Sequence, residues 1–151
     1  MLVEVYLLRC DPGGLLAYRR AAGYLRPGET PDAAAGRTVP GSAGNSVALL
    51  HSTSWRHRGD GTIVLAYAGL PDPDPGLAAL PIRSFEAAAS GDPRRPSPER
   101  VSHEQVAAHA ARHLAFLART DPVVRLALGE SPQLAGALAE LGEAPAGQLA
   151  D

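Results

Sequence analysis

Leu2–Leu8 and Leu15–Arg19 are apolar runs separated by Asp11-Pro12-Gly13-Gly14, residue types that favour a tight reversal, so the chain is expected to open with a β-hairpin. Thr30-Pro31-Asp32 then offers a capping hydroxyl, a proline suited to the first helical position and an acid at the positive helix end. A short helix should start at Pro31 and stop near Val39, because Pro40-Gly41-Ser42-Ala43-Gly44 removes a donor and adds two glycines. Ser46–His57 and Thr62–Leu70 flank Arg58-Gly59-Asp60-Gly61, where the Asp-Gly step favours the positive φ values of a type I′ hairpin turn.

Pro71-Asp72-Pro73-Asp74-Pro75-Gly76 fixes φ repeatedly and supplies few donors, which predicts an exposed connection whose acids are solvated. Leu80–Phe85 suits an edge strand, and Gly91–Pro98 a Pro/Arg-rich loop. Ser102 and Gln105 have capping-box spacing, and Val106, Ala107, Ala110, Leu114 and Leu117 share one helical face, so the main core-packing helix should begin there. Asp121-Pro122 ends it or begins another short turn. Ser131-Pro132 with Leu134, Leu138 and Leu141 predicts a last amphipathic helix closed by Gly142. One domain over 1–142 with a flexible tail, 143–151, is the expected organisation.

Composition narrows the function classes. With 151 residues, 45% of them hydrophobic, the chain can bury one substantial core. A net charge of −2 lacks the basic excess that binding to nucleic acid or an anionic membrane requires, and neither partner is expected. No apolar run approaches the roughly 20 residues of a membrane span, and Met1–Leu8 resembles a strand more than a signal segment, which points to a cytoplasmic location. The lone Cys10 excludes an internal disulfide and a multi-cysteine zinc site. All 14 basic residues are Arg, so Schiff-base and P-loop chemistry have no lysine to use.

From Gly23 to Asn45 the sequence is GYLRPGETPDAAAGRTVPGSAGN. Gly23, Glu29, Arg37, Val39 and Gly44 fall at the fixed positions of the pattern G-x5-E-x7-R-E-U-x-E-E-x-G-U, with U apolar, and the segment resembles a degraded box of the Nudix hydrolases. The resemblance covers Leu2–Leu70 best. It implies an α/β (α+β) fold, a Nudix-like mixed sheet sandwiched between helices, with extra C-terminal helices. It also implies that Glu29 and Arg37 form a structural pair at the helix entry. In that family the glutamates after the arginine hold Mg²⁺ or Mn²⁺ beside a diphosphate; here those positions are Thr38, Gly41 and Ser42. A hydroxyl and a glycine cannot anchor a hard dication as carboxylates do. The expectation is therefore a ligand-binding or regulatory pseudoenzyme with no metal, no cofactor and no ordinary pyrophosphohydrolase activity. The alternative is a divergent hydrolase acting on a nucleoside diphosphate-linked substrate through Glu86, Glu99, Glu104 or the helix histidines. An unrelated small α/β protein acting through protein contacts is the third possibility. A nucleotide-like small molecule is the expected partner, and a homodimer is compatible with the sequence.

His103, His109 and His113 share one helix, and the last two have the i, i+4 spacing that lets two imidazoles meet one metal. His103-Glu104 is followed at position 107 by Ala, so satisfied or partly buried histidines are expected, with a metal pair or an acid–base role as alternatives. On the strand before Arg58, His51, Thr53 and Trp55 should share one face, and Ser52, Ser54 and Arg56 the other. Trp55 and Tyr67 could stack a flat ligand across the hairpin, and Arg56 or Arg58 could meet phosphate, although Trp55 is expected to pack in the core and Arg58 to face solvent. The ligand-pocket candidates are thus Trp55, Arg56, Tyr67 and His51.

Overall fold

Strand β1 (Leu2–Cys10) is buried from Leu2 to Leu8 because it has a strand on either side and helices over both faces. The structure, a computed structural model, describes residues 1–39, 46–95 and 98–142. The expected tail 143–151 and the box positions Gly41, Ser42 and Gly44 lie outside the described residues. β1 turns back into β2 (Leu16–Tyr24) through a loop in which Asp11 Oδ1 accepts from Gly13 N and Leu15 N, each at 2.9 Å. Helix α1 (Pro31–Thr38) follows, capped by Thr30 as its residue types predict. β3 (Leu49–His57) and β4 (Ile63–Leu70) form the second hairpin, and β5 (Leu80–Pro81) is a two-residue edge strand, shorter than the expected Leu80–Phe85. Helices α2 (His103–Thr120), α3 (Pro122–Gly129) and α4 (Pro132–Ala139) follow.

The five strands among the described residues pair in the order β3-β4-β1-β2-β5, with β1 parallel to β4 and every other neighbour antiparallel. Alternation along β1 sends Val3, Val5 and Leu7 to one face, where they meet Ala34, Ala35 and Val39 of α1 and its C-cap. Tyr6 and Leu8 go to the other face and join the larger core under α2, α3 and α4. Ala107, Ala110 and Leu114 of α2 are fully buried there. The mixed sheet between helices is the architecture expected from the sequence. No helix among the described residues is long and apolar enough to cross a membrane.

Two loops depart from expectation. Gly61 has φ +84°, but among the described residues no residue other than glycine, Asp60 included, has positive φ, so the Asp60-Gly61 step does not form the type I′ turn. Instead Arg58 N donates to Thr62 O, Gly61 N to Arg58 O, and Asp60 Oδ1 accepts from Thr62 N, a longer loop with the glycine alone in the left-handed region. The acids after Pro71 are not all solvated either. Asp72 has a side chain only 1% exposed, because Arg9 and Arg19 of the β1–β2 hairpin reach it.

Candidate functional site

The even-numbered face of β1 carries Glu4 in the middle of an otherwise apolar strand, and burial of that charge is compensated in full. Oε1 accepts from Arg20 Nη2 of β2 at 2.7 Å, and Oε2 accepts from Arg56 Nη2 of β3 at 2.6 Å and from the Tyr6 hydroxyl at 2.8 Å. Burial would raise the Glu4 pKa, but the bonds from Arg56, Arg20 and Tyr6 outweigh it and hold the carboxyl below its ordinary value. Tyr6 in turn meets His103 Nδ1 at 2.9 Å, on the first turn of α2. That turn is fixed by the capping box, in which Ser102 and Gln105 exchange bonds of 3.0 and 3.1 Å.

Arg56 also lines a cavity of about 610 Å³ between β3, residues 85–89 with Pro98 and Val101, and α2. That volume lies within the range of small-molecule sites. Trp55 and His57 flank Arg56 on the strand side, and His109 and Arg112 face them from the helix. Arg112 Nη1 donates to Phe85 O at 3.2 Å, which ties the segment to α2.

A β-bulge decides which predicted residues meet. Ser52 pairs with Tyr67 and Ser54 with Ala66, so Thr53 is an extra residue in β3. His51, Ser54 and Arg56 therefore oppose Ala68, Ala66 and Val64 and face α2 together. Simple alternation would have parted His51 from Arg56. Trp55 opposes Leu65 on the other face, is 69% exposed and does not pack in the core. Tyr67 is buried against α1, with its hydroxyl donating to Asp32 at 2.6 Å, and does not stack with Trp55. The candidates thus separate: Arg56 and Trp55 line the cavity, His51 lies beyond its lining, and Tyr67 supports the opposite core.

The imidazoles of His51 and His113 stack at 5.3 Å, and those of His109 and His113 at 6.4 Å with planes 12° apart. Stacked rings present faces to each other and do not converge their nitrogens. His109 Nε2–H donates to Thr53 O at 3.3 Å. Burial, then the neighbouring His51 and His109, push the His113 pKa down. Among the described residues no group of three or more His, Cys, Asp or Glu side chains is arranged to hold a metal ion. Glu104 accepts from Arg83 N and Ser84 N, Glu86 lines the cavity and Glu99 is exposed, so these acids do not assemble.

Glu29 and Arg37 form a bidentate pair, Nε to Oε1 at 2.7 Å and Nη2 to Oε2 at 2.8 Å. Arg37 Nη2 also donates to Tyr24 O, and Glu29 accepts from Arg26 N. The Arg37 bond, then the Arg26 amide, lower the Glu29 pKa to about 2. Gly23 is required by close approach: a Cβ there would lie 2.7 Å from Thr38 Oγ1. Thr38 spends its hydroxyl on Ala34 O within α1.

Sequence reasoning missed Glu4, Tyr6 and Arg20. The signal was present, a single carboxylate inside LVEVYLL, because a charge in a strand that is apolar on both faces must find partners. Comparison with known proteins finds no matching family model, no matching curated protein and no matching solved structure.

Proposed function

We propose that the chain is a Nudix-like cytoplasmic domain that binds a nucleotide-like anion and carries out no ordinary metal-dependent pyrophosphohydrolysis. The observation that supports this most is the 610 Å³ cavity with Arg56 on one wall and Arg112 on the other. Guanidinium groups suit phosphate oxygens because their planar N–H forks match the oxygen geometry. Glu4 holds Arg56 from beneath, so the cation is oriented before a ligand arrives and loses less freedom on binding. The box supports the second half of the proposal: Thr38, Gly41 and Ser42 bring no carboxylate where the resemblance calls for glutamates. Without that Lewis acid, diphosphate cleavage loses several kcal/mol of transition-state stabilisation.

The test is an assay of purified protein with Mg²⁺ against nucleoside di- and triphosphates, ADP-ribose and dinucleotides. No product should form above the no-enzyme control. Turnover of roughly 1 per second or more, the ordinary enzyme range, would instead establish the divergent-hydrolase alternative.

A further inference from the structure

Hydrogen counting around Glu4 places a hydrogen on His103 Nδ1. The ionised carboxylate only accepts, so the single hydroxyl hydrogen of Tyr6 goes to Glu4 Oε2, 2.8 Å away. Tyr6 Oη must then receive the hydrogen on His103 Nδ1, 2.9 Å away. A neutral imidazole carries one ring hydrogen; with that hydrogen on Nδ1, Nε2 holds a lone pair. Partial desolvation of the ring, then the Arg20 guanidinium, lower the His103 pKa below its ordinary 6.5, which favours the neutral ring at neutral pH. His103 is exposed, and Nε2 has no hydrogen-bond partner among the described residues. Arg20 and Arg56 each commit Nη2 to Glu4 and remain 33% and 21% exposed. Two guanidiniums against one carboxylate leave a net positive charge, and Glu4 links both of them, through the Tyr6 hydroxyl, to the His103 ring.

We propose that Arg20, Arg56 and His103 form a binding site for an oxyanion that carries its own hydrogen-bond donor, hydrogen phosphate being the simplest. Guanidinium N–H groups hold the unprotonated oxygens, and His103 Nε2 accepts the P–O–H hydrogen. Tyr6 and Glu4 are positioning residues that keep Nε2 in the accepting form. The site extends beyond the cavity and shares only Arg56 with it, since Arg20 and His103 do not line the cavity.

Carbethoxylation by diethyl pyrocarbonate, mapped by peptide mass, reads the Nε2 lone pair directly. The full chain should label at His103, and inorganic phosphate should protect it at concentrations about tenfold lower than sulfate, a dianion of similar size with no hydrogen to donate; that ratio corresponds to one hydrogen bond to a charged group. Arg20→Gln should raise the phosphate needed for half-protection by about tenfold, and Tyr6→Phe should abolish the preference for phosphate over sulfate. Equal protection by the two anions, or none by either, overturns the proposal. A Tyr6→Phe protein that keeps the preference overturns the positioning role. Arg112→Gln, a cavity change, should leave phosphate protection unaltered, so failure here is distinguishable from failure of the cavity proposal.

Discussion

Glu4 and Asp72 are the two buried carboxylates among the described residues, and each is met by two arginines. Asp72 accepts from Arg9 Nη1 at 3.0 Å, from Arg19 Nη2 at 2.6 Å and from its own loop at Asp74 N. Arg9 adds bonds to Asp74 O and Leu77 O. All of these partners belong to the loop or to the hairpin beneath it, so the cluster fastens the connection after β4 to the β1–β2 pair. Glu4 has the same charge arithmetic and a different surrounding. Its arginines come from β2 and β3, strands of different hairpins, its third donor is Tyr6, and one arginine continues into a cavity wall. The contrast teaches that a buried ion cluster signals function by what its outer atoms face. Burial alone would rank the two together.

Removing either carboxylate takes the buried counter-charge from two guanidiniums, so Glu4→Ala and Asp72→Ala should each lower the unfolding free energy, by about 3 to 5 kcal/mol for Glu4 and by less for Asp72, whose Arg19 keeps Asp74, in urea titration. The comparison sharpens if the Asp72 variant, where it folds, still binds ligand while the Glu4 variant does not. It breaks if Asp72→Ala is neutral, because the loop would then be held by something other than its ion pairs.

Acid should remove the contributions of the α2 histidines and of buried Glu4 in a defined order. The His113 pKa lies below its ordinary 6.5 in the folded state, so the unfolded chain takes the proton first. Its contribution to stability is complete above about pH 6.5 and declines as pH falls from there. The Glu4 pKa also lies below its ordinary 4.5, so its contribution is complete above about pH 4.5 and is lost as pH drops through the folded-state value. Thermal unfolding followed against pH should show both declines, with His113→Gln and His103→Gln each reducing the first and Glu4→Gln flattening the second. A stability curve that stays level from pH 6.5 to 5 in the wild type would contradict the His113 assignment.

Glu29 and Arg37 supply the solvent-side counterpart of the buried clusters. Their geometry is bidentate, yet both side chains reach water, so Arg37→Ala should lower Tm by less than either buried-carboxylate change. A larger drop would mean that the pair, and not the buried clusters, anchors its end of the sheet.

Much of this molecule was legible in its sequence. Thr30-Pro31 and Ser102–Gln105 marked helix starts, and the apolar run from Leu2 to Leu8 marked a strand, because caps and burial act locally. The site was less legible for two physical reasons. The extra residue at Thr53 reverses the facing of everything after it, and nothing in Ser52-Thr53-Ser54 announces a bulge. Asp72 looked solvated in a Pro-rich loop because its partners, Arg9 and Arg19, are more than fifty residues earlier in the chain. Trp55, taken for core, is outside because the same bulge turned it outward.

The central claim is that Arg56, held by Glu4, binds an anionic ligand whereas Arg19, held by Asp72, only fastens a loop. Calorimetric titration of ADP-ribose into wild type, Arg56→Gln and Arg19→Gln, each under conditions where it is folded, tests it most directly. The wild type should bind, Arg19→Gln should bind equally well, and Arg56→Gln should bind about ten- to a hundredfold more weakly, the worth of a hydrogen bond to a charged group. Equal affinity in all three proteins, or the same loss in both variants, would contradict the account.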